Sequence, residues 1–198
     1  MELLRATIIT DTVNFSPHAK KATALDISMT EKIEKMLPNL QTSRNTILSD
    51  ISNAKGDIEG FTTEQLFRKD LKIVPLPNGT QAAVPSTLLL ADEICTKFED
   101  FEKLEAVFDK FCQRYNSQLL IVIAINHGKR DILFYYPEEH KNCSELVNNM
   151  KKSLLDHGEI NAEVSKELSS RCLLIKQGNV TFTRKKILPI LLNSGSNV

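Results

Sequence analysis

Apolar residues recur along the chain first at helical spacing and then in continuous runs, and this change of pattern divides it. Leu3, Leu4, Ile8 and Ile9 share one helical face and predict that the chain opens inside an apolar helix. Thr23 is placed to cap a second helix, with Leu25, Met29, Ile33, Met36 and Leu37 in one stripe and Pro38 as its stop. Residues 39 to 49 are polar and without strong period, which predicts a hinge or linker and a domain boundary.

The second block carries stronger signals. Thr62-Thr63-Glu64-Gln65 resembles a capping box that opens a short helix running to Asp70. Pro75, Pro77 and Asn78-Gly79 mark a turn into a short strand over 80 to 84. Phe101, Leu104, Phe108, Phe111, Cys112 and Tyr115 line one face of a long helix that must pack on a sheet. Leu119 to Ile125 is an unbroken apolar run, the mark of a buried strand, and Ile132 to Tyr136 reads as its hairpin partner after Asn126-His127-Gly128-Lys129. Leu146, Val147, Met150, Leu154 and Leu155 predict another helix, stopped near Gly158. Cys172 to Ile175 is the last expected strand, Gly178-Asn179 a turn, and a terminal helix closes the block. Strands and helices interleave, so the class is α/β.

Composition narrows the partners. The 198 residues carry 25 Lys+Arg against 25 Asp+Glu, a formal net charge of zero, so no global field recruits nucleic acid or a membrane surface. Any preference for anions is therefore local. The first ten residues are too polar for a signal peptide or a membrane span. Cys95, Cys112, Cys143 and Cys172 are widely spaced and form no C-x-x-C, which predicts a reduced, cytoplasmic protein. His18, His127, His140 and His157 are scattered without metal-ligand spacing, and no GxGxxG or GxxxxGK[ST] loop is present. Asp156-His157-Gly158 coincides with a helix stop and is not read as catalytic.

Three features carry candidate chemistry. Arg184, Lys185 and Lys186 stand where a helix begins, the end whose dipole disfavours cations, so the triplet is locally costly unless an anion joins it. Proline fits the first helical position best, so Pro189 predicts that the helix proper opens near Leu188, with the cations just ahead. The alternative is a solvated basic turn, and the decision depends on whether other residues converge there. Arg68-Lys69-Asp70-Leu71-Lys72 is a second basic cluster, read as the end of a helix, where cations are favoured in any case. Asp11 follows the first helix, where a carboxylate opposes the dipole; a nearby cation or a plain turn both account for it.

The order Asp11-Thr12-Val13-Asn14, then Thr62 to Lys72, then Thr183-Arg184-Lys185-Lys186-Ile187-Leu188-Pro189 resembles the DHH phosphoesterase superfamily, and within it the prune and exopolyphosphatase branch. The resemblance implies a helical remnant of a DHH domain over 1–38, a linker over 39–56, a DHHA2 domain with a mixed sheet flanked by helices over 57–193, and a tail over 194–198. It implies that Asp11 falls on a metal-binding aspartate, that Lys72 contacts substrate phosphate, and that Arg184 and Lys185 form a terminal anion clamp. The family's cofactor is a binuclear manganese or magnesium centre, and its substrates are short-chain polyphosphate or other phosphoanhydrides, with cyclic nucleotides also attributed to it. The Asp-x-Asp and Asp-His-His motifs that supply most of the metal ligands have no counterpart in this sequence. The expectation is accordingly a fragment, short isoform or incomplete gene model that, alone, does not hydrolyse phosphoanhydrides at the family's rate. A non-catalytic phosphate-binding or scaffold module is the competing reading. The tail through which vertebrate prune proteins bind nucleoside diphosphate kinases is not expected here, so that partnership is not carried over.

Overall fold

A computed structural model describes residues 1–37, 40–76, 79–98, 101–126 and 128–194. Pro38, Pro77, Asn78 and His127, used above as a helix stop and as turn residues, lie outside them, as does the tail from 195. The chain divides into two compact units, residues 1–59 and 60–198.

The first unit is three helices: α1 (Glu2–Asp11), α2 (Ala24–Lys35) and α3 (Arg44–Gly56). Thr23 caps α2 in a reciprocal box with Asp26, as its sequence predicts. Of the two expected apolar stripes only Ile9 and Ile33 are buried, while Leu3, Leu4, Leu25 and Met36 stay exposed. What ties the helices together is ionic. Arg5 on α1 and Arg44 on α3 both donate to Glu34 on α2, at 2.7 Å from Arg5 Nε and at 2.9 and 2.6 Å from Arg44 Nε and Nη2. The span expected to be a linker thus holds α3, a helix with no buried residue of its own. Periodic apolar residues gave no sign of it because Arg44 and the Ser43 cap fix it instead.

The second unit is a six-stranded mixed sheet between helices, with β1 (Leu71–Pro75), β2 (Gln81–Thr87), β3 (Leu119–Asn126), β4 (Lys129–Tyr135), β5 (Ala162–Ser169) and β6 (Cys172–Gln177) in the order β1-β2-β3-β4-β6-β5. Among the described residues only β2 and β3 pair in parallel. Their crossover carries α5 (Ala91–Thr96) and α6 (Phe101–Arg114). On one face Ile121, Ile123, Ile132, Phe134 and Ile175 pack with Leu146, Met150 and Leu154 of α7 (Cys143–Asp156) and with Ile187 and Leu191 of α8 (Arg184–Ser194). On the other, Tyr135 packs at a tilt against Phe108 of α6, which stacks on Phe67 of α4 (Thr63–Arg68). Burial on both faces explains why β3 is apolar without alternation. The capping box of Thr62 and Gln65 forms as expected.

Two strands differ from the sequence reading. β1 begins at Leu71, so Lys72 lies in a strand rather than at a helix end. β5 is an edge strand with two register shifts and mostly polar residues, which hide its period.

Candidate functional site

Helix α8 opens at Arg184, four residues earlier than Pro189 suggested. The carbonyl of Thr183 accepts from the amides of Lys186 and Ile187, at 2.8 and 2.9 Å, and Ile187 is fully buried. This tertiary anchoring carries the helix a full turn upstream of the proline. The cost is one missing bond, because Pro189 has no N–H for the carbonyl of Lys185, and water can replace it at that exposed residue. The three cations therefore occupy the first turn itself, with no acidic residue among them. Backbone N–H groups unpaired by helix geometry and three positive side chains stand at one end.

The turn that feeds this helix is tightly built. Gly178 donates its N–H to the carbonyl of Asn161 at 2.9 Å, and a side chain there would meet that carbonyl at 2.8 Å and the Asn161 amide at 2.5 Å. Buried Gln177 donates through Nε2 to the carbonyls of Asn179 and Phe182, at 2.5 and 2.8 Å. The path from β6 to Arg184 is thus fixed by hydrogen bonds.

Arg184 reaches back to the start of the sheet. Its Nη1 donates to the carbonyls of Asp70 and Val84, at 2.8 and 3.2 Å, and its Nη2 to the Asp70 carboxylate at 2.6 Å. Val84 is the residue paired with Lys72 in the β1–β2 ladder. Two basic motifs, separated by 114 residues at the Arg184–Asp70 contact, meet at one edge of the sheet. Lys185 adjoins Arg184 on the exposed first turn, and among the described residues neither it nor Lys72 forms an ion pair. Asp70 was read only as part of a basic cluster; its carboxylate within a run of cations was the available signal.

Asp11 lies in the first unit as the last residue of α1, exposed. The chain after it turns through Val13, Asn14 and Phe15, all with left-handed φ of 52°, 49° and 60°, which is uncommon for valine and phenylalanine. The amide of Asn14 returns to the carbonyl of Ile9 at 2.7 Å and the amide of Phe15 to the Thr12 hydroxyl at 3.3 Å, closing the helix end. Among the described residues no three His, Cys, Asp or Glu side chains gather as metal ligands would.

Other chemistry is less well placed. A cavity of about 470 Å³ beside β4 and β6 is lined by Lys129, Arg130, Asp131, Lys176 and Gln177, and by none of Asp11, Lys72, Arg184 and Lys185. The cysteines are all free thiols. Burial pushes the Cys112 thiol up to about 12 and the Cys95 thiol up to about 11, so neither is a thiolate nucleophile at neutral pH. Among the described residues no helix is long and apolar enough to cross a membrane.

Comparison with known proteins agrees with this architecture. The DHHA2 domain profile matches residues 49–194. The chain is 30% identical over 197 residues to exopolyphosphatase PRUNE1 of Rattus norvegicus, an alignment covering 96% of this chain and 41% of that protein. It is 29% identical over 197 residues to exopolyphosphatase PRUNE1 of Homo sapiens, again over 96% of this chain and 41% of that protein. The chain thus spans 41% of the length of these curated relatives. Among solved structures, a putative family II inorganic pyrophosphatase of Methanococcus jannaschii superposes with a TM-score of 0.56 at 16% identity, covering 98% of this chain and 54% of that one. At that identity the likeness is one of fold.

Proposed function

The chain belongs to the DHHA2 domain family, and from that premise we propose that it supplies the phosphate-gripping half of a hydrolase of the prune and exopolyphosphatase type. The substrate class is short-chain polyphosphate or another phosphoanhydride. The reading is supported above all by one contact set: Arg184 donating to Asp70 and to Val84, the ladder partner of Lys72. In this reading Lys72, Arg184 and Lys185 bind phosphate oxygens and neutralise charge as it develops on the departing phosphate. Arginine suits this with a planar fork of donors and lysine with compact charge. The ligand is a small phosphate-bearing molecule rather than nucleic acid, because the basic groups form a local patch in a chain of zero net charge. Four free thiols fit a reducing compartment, and we place the protein in the cytoplasm.

A manganese or magnesium pair needs several oxygen or imidazole ligands. Asp11 is the one residue of this chain on the family's metal motifs, and no ligand cluster forms among the described residues. The residues present do not fit a binuclear centre on their own. That misfit favours a second reading, a phosphate-binding module without turnover.

Titration calorimetry with pyrophosphate, with and without manganese, tests the clamp. Arg184→Ala is expected to weaken binding about tenfold or more, the scale of a lost charge-assisted hydrogen bond. A loss of affinity that does not depend on manganese supports the binding module. A loss of turnover seen only with manganese supports the hydrolase. Unchanged affinity and turnover in Arg184→Ala would remove the clamp from either account.

A further inference from the structure

Arg184 has its anion-binding atoms already engaged, and the kind of partner differs at each. Nη1 is held by two main-chain carbonyls, which are part of the sheet edge and cannot leave. Nη2 is held by the Asp70 carboxylate, a side chain that is 56% exposed while that of Arg184 is 12% exposed. The carbonyls therefore set where the guanidinium sits, and the carboxylate fills the place an incoming oxyanion would take. Lys72 and Lys185 have no ion pair among the described residues.

Resting on the reading of this site as a phosphate clamp, we propose that Asp70 is its specificity-determining residue, an internal carboxylate that selects polyanionic phosphates over monoanions. A monoanion replacing Asp70 exchanges one singly charged partner of Nη2 for another and loses translational freedom besides. Pyrophosphate or tripolyphosphate offers several charged oxygens and engages Lys72 and Lys185 together with Arg184, so it alone gains from the exchange. Asp70 then turns to solvent, and the carbonyls of Asp70 and Val84 keep the guanidinium in position.

The test uses the whole chain in metal-free buffer as wild type, Asp70→Asn, Asp70→Ser, Arg184→Ala and Glu64→Gln. Pyrophosphate binding is read by calorimetry and acetate binding by amide chemical shifts of β1 and α8. Thermal unfolding confirms that each variant is folded, and Asn keeps an acceptor for Nη2. Glu64→Gln is the charge control, since Glu64 pairs with Arg68 and Arg114 rather than Arg184. Removing the Asp70 charge, by Asn or by Ser, is expected to raise pyrophosphate affinity up to about fivefold, the upper range for an exposed ion pair. It is also expected to make acetate binding visible at the clamp, with Glu64→Gln near wild type in both. The proposal is overturned if Asp70→Asn and Asp70→Ser leave pyrophosphate binding unchanged or weaker, or if Glu64→Gln matches their gain, while Arg184→Ala still weakens binding. Pyrophosphate binding that survives Arg184→Ala undiminished would instead sink the clamp itself.

Discussion

Asp131 in β4 is 4% exposed, and both its carboxylate oxygens accept from the amide of Ala91 at 3.0 and 3.2 Å. Burial dominates over that amide and pushes its pKa up from 3.8 to about 6, with Asp92 and Glu93 adding to the rise. A carboxyl raised on folding binds its proton more tightly in the native state. Below the unfolded value the group is protonated in both states and costs nothing. Stability then falls as pH rises from 3.8 to about 6, and the penalty stays constant above that. Asp131→Asn keeps an acceptor for Ala91 and removes the charge. We expect it to be more stable than wild type by about 1–2 kcal/mol at pH 8 and to flatten this part of the pH profile, both measurable by urea unfolding. A variant less stable at pH 8 would show that the charged bond to Ala91 outweighs burial. At the same scale Gly178→Ala is expected to cost about 1–3 kcal/mol, because a new Cβ falls 2.8 Å from the Asn161 carbonyl in the turn before Arg184. Thermal unfolding reads this directly.

Among the elements, the three helices of the first unit hang on Glu34. The hydrogen bond from Arg44, opposed by burial and aided by Arg5, holds its carboxyl down at about 2 against an ordinary 4.5. A depressed carboxyl contributes stability that is full above the unfolded value and drains away as pH falls from 4.5 toward about 2. Glu34→Gln is expected to destabilise this unit by about 1–3 kcal/mol at pH 7, less than for a fully buried pair because Glu34 keeps 19% exposure. Hydrogen exchange of α1 to α3 amides would show the loss there and leave the sheet protected. The same elements show what sequence could reveal. Strand β3 and helix α6 were legible because burial writes itself as an apolar run or an apolar face. Helix α3 was not, since it buries nothing and is held by Arg44. Strands β1 and β5 were not, because edge strands such as Leu71–Pro75 and Ala162–Ser169 carry exposed charges and a proline. At the site, the cation triplet was readable one residue at a time, and its contact with Asp70 was not. Residues 114 apart meet only through the order of the strands.

For the molecule as a whole, the proposed reading assigns the two units unequal shares of phosphohydrolase chemistry. The sheet unit brings Arg184 to Asp70 and to the ladder partner of Lys72, while of the residues that the family resemblance places on a metal motif the helical unit offers Asp11, an exposed carboxylate. Binding phosphate requires only the first. Cleaving a phosphoanhydride by the family's route requires a set of oxygen and imidazole ligands that do not gather among the described residues. The 198-residue chain is therefore expected to bind pyrophosphate yet release orthophosphate at background rate across a manganese titration, with pyrophosphate and with tripolyphosphate. Asp11→Asn should change neither quantity in this chain, since a single carboxylate neither holds the metal pair nor belongs to the clamp. Turnover well above background that falls on Asp11→Asn would mean that the ligands assemble from elsewhere in the chain, and the division of labour argued from these residues would have to be abandoned.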